Sequence, residues 1–373
     1  MQSALPRRVL VLLFACALAA PAFDMLVRPA QARGPETEGR AAQPFPDWRV
    51  SLRERNNYPR RFELAFADAL GLRDVLLRWH NWARLELLNI APEPVLLGKH
   101  GWMFYTIENS LENWRGLYPM DERTLRAWQR RLEQRRDLAR AHGAEYAFVI
   151  GPNKESIYPD YLPQGYEPLG PTRLDQLLAW MQAHSDIELI DLRPCLRAAR
   201  SLDTPQHHLY CEEGSHWQGQ GCLTAADEIL RQLAVKFPAI AQVPPTPWTI
   251  ASVWPAETWR PKLYLSVPAN MLHDYPVAEE QDCRAVHVGA DWEARIQRFE
   301  QRVPAPELPA VLMFNDSFGS GVQKQLAERF ARLTSVPSHE IDVKLLESEK
   351  PALVLDLFVE RVLAGPLVSP PPN

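Results

Sequence analysis

Apolar and polar positions repeat along the chain at two different periods, and the changes of period mark its elements. From Tyr58 to Leu88 the apolar residues return every three or four positions, as in Phe62, Leu64, Ala65, Phe66, Ala69 and Leu70, which predicts a small helical region. Val95 to Tyr105 reads as two short strands meeting at a glycine-containing turn. Asp121 can cap a helix over Glu122–His142 that puts Leu125, Trp128, Leu132 and Leu138 on one face. A buried-type strand, Glu145–Ile150, follows and ends at Gly151-Pro152-Asn153. Next come a helix over Arg173–His184, a strand over Ile187–Asp191 and a helix over Gly219–Phe237. Pro238–Pro255 reads as a proline-rich connector, and Ala256–Pro309 has no readable period. The pattern resumes with strand Ala310–Phe314, helix Gly319–Leu333 and strand Ala352–Phe358. Alternation of this kind predicts an α/β domain whose mostly parallel sheet is covered by helices on both faces. In such sheets, sites form on loops at the carboxyl ends of the strands.

One stretch breaks the pattern. Val9–Phe23 is apolar, preceded by Arg7-Arg8 and followed by Pro29-Ala30-Gln31-Ala32-Arg33. The run falls short of the ~20 residues of a membrane span, and Ala30-Gln31-Ala32 has the small-x-small form of a leader cleavage site. A tilted helix continuing to Val27 would instead hold the protein as an uncleaved anchor. Both readings imply export, to the periplasm or beyond. Three regions result: 1–32 as signal peptide or anchor, 33–92 as a polar linker and helical lead-in, and 93–373 as the main domain.

Composition narrows the function classes. The chain is 46% hydrophobic and 23% charged with a net charge of -5, which gives no basic footprint for nucleic acid. Past the leader, Cys195, Cys211, Cys222 and Cys283 could form two disulfides in an oxidising compartment, in any of three connectivities, or remain buried thiols. No cysteine pair has CxxC spacing and none combines with histidines at zinc-ligand spacing, so no metal is expected.

Two stretches carry candidate chemistry. In Asn315-Asp316-Ser317-Phe318-Gly319, Ser317 falls between an apolar strand and the first turn of a helix, where the helix dipole favours a developing oxyanion. Ser and Asp are also ordinary helix caps. In "CEEGSHWQGQG", Cys211–Gly221, His216 sits on a polar, glycine-rich loop suited to a general base, although a structural histidine beside a core Trp217 is the plainer reading.

The motifs "VLLGKHGWMFY", "FVIGPNKESIYPDYLP", "GSHW" before a helix, "FNDSFGSG" and "VLDLFVERVL" resemble, in this order, the SGNH-hydrolase-like domain of AlgJ/AlgX-type polysaccharide (alginate) O-acetyltransferases. The resemblance runs from about Tyr58 to Leu363. It implies a three-layer α/β/α sandwich, circularly permuted so that the Asp-x-His motif precedes the serine, with a short helical lead-in. It implies Ser317 as the nucleophile, His216 as the base, and Asn153 with the Ser317 backbone N–H as the oxyanion hole. It further implies a polysaccharide substrate, a membrane-bound acyltransferase supplying acetyl, and no cofactor. Where the family has Asp-x-His-Trp, this chain has Gly214-Ser215-His216-Trp217. The orienting acid is then Glu213 or Glu212 reaching back, a carboxylate from elsewhere, or nothing at all in a Ser–His dyad. Asp316 reads as a turn-fixing residue. His273-Asp274 reads as a surface loop or as a replacement base with its acid. An exported O-acetyltransferase is the leading expectation. The alternatives are an acetyl esterase and an inactive scaffold binding polysaccharide through Trp102, Trp114, Trp217, Trp254 or Trp259.

Overall fold

A computed structural model describes residues 4–28, 41–49, 57–91, 93–291 and 295–364. The leader cleavage motif at 30–32 and the start of the linker lie outside the described residues. The chain forms two compact units, Met1–Pro92 with Trp259–Pro268, and Glu93–Thr258 with Ala269–Asn373.

The smaller unit is helical. Helix α1 (Ala4–Val27) is long and apolar enough to cross a membrane by length and composition, and none of its apolar stretch is buried. Helices α2 (Tyr58–Ala69) and α3 (Arg73–Trp82) realise the helical lead-in, with α3 continuing into a π-helical turn over Ala83–Leu87. The segment Trp259–Pro268 completes this unit: Asn81 Nδ2 donates to the Leu263 carbonyl at 2.8 Å, and Arg73 Nη1 donates to the Tyr264 hydroxyl at 2.5 Å.

The larger unit opens with an antiparallel pair, β1 (Val95–Leu97) and β2 (Met103–Tyr105), and a short helix α4 (Ser110–Trp114). There follow α5 (Glu122–Ala141), β3 (Glu145–Gly151), α6 (Lys154–Ile157), α7 (Arg173–His184), β4 (Leu189–Asp191), α8 (Arg193–Ala199), α9 (Gly219–Leu233) and α10 (Ala239–Gln242). The chain continues through β5 (Thr249–Val253), β6 (His273–Val277), β7 (Ala285–Asp291), β8 (Ile296–Gln301) and β9 (Ala310–Asn315). It ends with α11 (Ser317–Ala327), β10 (Arg332–Val336), α12 (Val343–Glu349) and β11 (Leu353–Val359). Asp121 caps α5 as its sequence suggests, accepting from the Thr124 N–H at 2.8 Å.

Seven strands form the central sheet in the order β4-β3-β11-β9-β10-β8-β7. The run from β4 to β10 is parallel, and β8 and β7 extend it antiparallel at one edge. Because successive strand residues face opposite sides, Val149, Met313 and Leu355 pack with Ala225 and Ile229 of α9 and Val322 of α11. Phe148, Phe314 and Val354 point the other way, onto Trp128 and Leu132 of α5 and Leu177 of α7. Two cores, one on each face, make this the expected α/β/α sandwich.

The structure departs from the sequence reading in two places. The helix expected over Gly319–Leu333 stops at Ala327, and Leu333 belongs to β10. Phe330 and Leu333 are three residues apart, so they continue the helical spacing on paper even though the chain has turned. The connector and the unreadable stretch contain β5 paired antiparallel with β6, together with the edge hairpin of β7 and β8, which bulges between His287 and Gly289.

Candidate active site

Parallel strands deliver two of the expected residues to one edge of the sheet. Strand β9 ends at Asn315, and Ser317 opens α11 with its side chain exposed. Asp316 fixes the turn between them, accepting from the Phe318 N–H at 2.9 Å and from the Val359 N–H at the end of β11 at 2.8 Å. Its carboxylate is thus spent on the turn, in line with its sequence reading. Strand β3, on the other side of β11, ends at Gly151 and presents Asn153 as the first cap of α6. The Asn153 N–H donates to Glu360 Oε2, one residue beyond β11, at 3.1 Å. Both turns are therefore pinned to the same end of β11. The Asn153 side chain is buried, and neither its Oδ1 nor its Nδ2 has a hydrogen-bond partner. A buried amide left unpaired costs free energy and asks for an explanation.

His216 comes from the loop ahead of α9. An isolated bridge between Tyr210 and Trp217 and a bond from the Cys211 N–H to the His216 carbonyl at 3.1 Å close this loop on itself. Lys154 fastens it from below. Its fully buried Nζ donates to the carbonyls of Cys211 (3.0 Å), Glu212 (2.8 Å), Gly214 (2.6 Å) and Met103 (2.5 Å), and the ammonium lies over the rings of Trp102 and Phe104. Burial pulls this ammonium down to about 8, with nearby acidic groups opposing the shift. The loop also docks on the serine helix, where Trp217 Nε1 donates to the Phe318 carbonyl at 3.2 Å and the two rings pack 4.8 Å apart.

These contacts bring His216 Nε2 to 2.6 Å from Ser317 Oγ. On the far side of the ring, Nδ1 lies 2.6 Å from Oε1 of Glu257. The same Glu257 oxygen accepts from the Ser215 N–H at 3.2 Å. Burial alone would raise the Glu257 carboxyl. The hydrogen bond and charge of His216, with the Ser215 N–H, prevail and hold it below the usual value. The result is a Ser–His–Glu line with the mutual geometry of a serine triad.

Glu257 is the residue that sequence reasoning missed. Glu213, one candidate for its place, is buried and accepts from Thr258 Oγ1 at 2.7 Å. Glu212, the other, pairs with His208 Nε2 at 3.2 Å. Neither carboxylate meets His216. Gly214, where the family acid would stand, explains the exchange. A Cβ on Gly214 would fall 2.8 Å from the Cys211 Cβ, 2.9 Å from the Glu257 carbonyl and 3.0 Å from Glu257 Oε1. Glu257 fills the space that a side chain at position 214 would need.

The pair His273-Asp274 is buried in β6, not on a surface loop. His273 Nδ1 lies 3.2 Å from Cys211 Sγ, and burial pulls the imidazole down and pushes the thiol up, which favours the neutral form of each. Asp274 accepts from Ser252 Oγ at 2.6 Å and pairs with His207 Nδ1 at 2.8 Å, leaving His273 without it. All five cysteines are free, and Cys211 and Cys222 are buried thiols that do not bridge the His216 loop. Of the five tryptophans considered for sugar stacking, Trp102, Trp114, Trp217 and Trp259 are buried, and only Trp254 is exposed.

Comparison with known proteins gives the family and the fold. Residues 95–287, just over half of the chain, match the family described as SGNH hydrolase-like domain, acetyltransferase AlgX. That span includes His216 and Glu257 and ends before Ser317. No curated protein sequence matches the chain. Among solved structures, Bacillus cereus PatB1 with a sulfonyl adduct superposes with a TM-score of 0.50 at 14% identity, covering 73% of this chain and 96% of its own. The O-acetyltransferase domain of Pseudomonas putida AlgJ gives 0.46 at 16% identity, covering 72% and 92%. The first of these likenesses supports the SGNH-type fold, and the family match supplies the classification: this chain belongs to the AlgX family of SGNH hydrolase-like acetyltransferase domains.

Proposed function

We propose that the protein is an exported O-acetyltransferase that carries acetyl on Ser317 and passes it to sugar hydroxyls of an exopolysaccharide. The observation that carries the reading is the continuous line Ser317 Oγ, His216, Glu257, with both hydrogen bonds at 2.6 Å. Ser317 Oγ attacks the acetyl carbonyl while His216 Nε2 takes its proton, and Glu257 stabilises the imidazolium. The oxyanion is received by the Ser317 N–H, which starts a helix and so has no intrahelical acceptor, together with the unpaired amide of Asn153. Collapse of the intermediate expels the donor's leaving group, which takes the proton from His216 and leaves acetyl-Ser317. An acceptor hydroxyl then gives its proton to His216, attacks the ester and regenerates the serine. The donor is delivered by a membrane-bound acyltransferase, as the family resemblance implies.

The test is mass spectrometry of the purified protein after exposure to an activated acetyl ester, alongside Ser317→Ala and His216→Ala. An acetyl group on Ser317 that depends on His216 is expected. A folded parent that acquires no adduct would leave the scaffold reading in possession. Release of the adduct by water as fast as by oligosaccharide would make the protein an esterase.

A further inference from the structure

The last turn of α1 is built into the helical unit that follows it. A Cβ on Gly71, in the turn between α2 and α3, would fall 1.9 Å from the Pro21 carbonyl oxygen and 2.9 Å from Asp24 Cβ. Only glycine lets the two backbones approach so closely. Asp24 Oδ2 accepts from the Leu72 N–H at 2.9 Å, at the start of α3, and from Arg28 Nη2 at 2.9 Å. Arg28 Nη1 in turn lies 3.9 Å from Asp74. Cleavage after Ala32 would remove Pro21, Asp24 and Arg28 together. It would uncover Gly71 and leave the Leu72 N–H without its acceptor.

The same unit carries an apolar surface that a water-facing helix pair does not need. On α2, Tyr58, Phe62 and Phe66 follow one another at a spacing of four and stack with ring centroids 6.4 and 6.3 Å apart. On α3, Trp79 and Trp82 meet edge to face at 5.6 Å. Phe62, Phe66, Trp79, Trp82, Leu87 and Leu88 are between 40% and 66% exposed. Exposed apolar rings gathered in this way on each helix mark surfaces with a partner. The partner follows from α1. The apolar stretch Arg7–Val27 of α1 has 21 residues, about 31 Å at ~1.5 Å per residue, against a hydrocarbon core of ~30 Å. Pro21 and Asp24, onto which the turn between α2 and α3 packs, lie in its last turns, so a spanning α1 brings that helix pair to the bilayer surface. The flanking structure here is rich in aromatic residues, with exposed Arg60, Arg61 and Arg78 among them, the composition that settles at the headgroup boundary.

We infer that α1 is retained as a membrane-spanning anchor and that the aromatic face of α2 and α3 lies in the headgroup–acyl boundary of the leaflet from which α1 emerges. Arg7 and Arg8 keep the amino terminus on the cytoplasmic side. The occupant of the face is lipid.

Two measurements on the full chain decide the matter. Intact mass of the protein extracted from membranes should include residues 1–32, and a species beginning after Ala32 would overturn the anchor. For the face, the full chain is reconstituted into phosphatidylethanolamine/phosphatidylglycerol vesicles whose acyl chains are brominated near the headgroup, and tryptophan emission is compared with that in unbrominated vesicles. Trp79→Phe/Trp82→Phe keeps both rings and hence the packing. The parent should be quenched, and the double variant should lose at least half of the bromine-sensitive emission. Equal quenching of parent and variant, or none in either, would overturn the lipid assignment. So would a face that crosslinks in cells to a membrane protein and stays unquenched in vesicles.

Discussion

At the residue scale, Gly214 and Glu257 act as one exchange divided between two segments. The position two residues before the histidine carries no acid, and a carboxylate reaches His216 Nδ1 from 41 positions away, through space that glycine leaves open. The exchange can be run backwards. Glu257→Gln keeps the shape but offers a neutral amide, and kcat for acetyl transfer should fall by about 10²- to 10⁴-fold. Gly214→Asp alone should also lower activity, because its Cβ would crowd Glu257 Oε1 and place two carboxylates on one imidazole. Combined with Glu257→Ala, the same Gly214→Asp no longer meets Glu257 Oε1, and the Cys211 Cβ and the carbonyl of residue 257 must still give way by a few tenths of an ångström. It should recover at least about tenfold over Glu257→Ala, a gain of ~1.4 kcal/mol in transition-state stabilisation. The measurement is turnover of a chromogenic acetyl ester by the parent and these four variants, and a double variant no faster than Glu257→Ala would show that the two positions do not share one function.

At the scale of elements, the site depends on how firmly the loop of His216 is held, and Lys154 is its fastening. Four carbonyls converge on one buried ammonium, three of them from Cys211, Glu212 and Gly214. Lys154→Met would fill the space and take one donor from each carbonyl; the Glu212 carbonyl keeps the Met103 N–H at 2.9 Å, whereas a carbonyl left unpaired costs about 1–3 kcal/mol if still buried. The expected outcome is faster hydrogen exchange at 210–217 with little change in β3, and a fall in kcat larger than any change in KM. Unchanged exchange in that loop would mean the backbone holds itself. The elements also show what the sequence could carry. Strands β3, β9 and β11 and helices α5 and α7 were legible because each obeys one period over its length and is buried on defined faces. Ser317 and His216 were legible because each lies in a local motif at the end of a regular element. Glu257 was not: it sits in an irregular stretch, and its link to His216 is made only in three dimensions. The one local trace of it was the missing side chain at Gly214. Lys154 was not legible either, since nothing in its neighbours announces that four carbonyls will surround it.

At the scale of the whole molecule, the carboxyl edge of the sheet is a place where burial works against charge. Burial raises Glu155 to about 7, and it raises Glu360 and Asp316 as well, so all three carboxyls meet in the fold a less hospitable medium than in the unfolded chain. Ser110 Oγ donates to Glu155, and Ser156 Oγ donates to Glu360 at 2.6 Å, which moderates the penalty without cancelling it. The consequence for stability has a definite sign. A carboxyl whose folded value lies above its unfolded value of 4.5 binds its proton more tightly in the native state. Its contribution is fully present below pH 4.5 and is lost as pH rises through about 7. For Glu155 the full swing is on the order of 3 kcal/mol. Unfolding followed by denaturant between pH 4.5 and 7.5 should therefore show a component that weakens with rising pH, opposite to the usual behaviour of ion-paired acids. Glu155→Gln, which imitates the protonated group, should remove much of that slope and leave the variant at least as stable as the parent at pH 7.5. A variant with the parent's slope would mean that water or a rearrangement of Ser110 relieves the buried charge. Since Glu155 follows Lys154 directly, that relief would also bear on how rigidly the His216 loop is held.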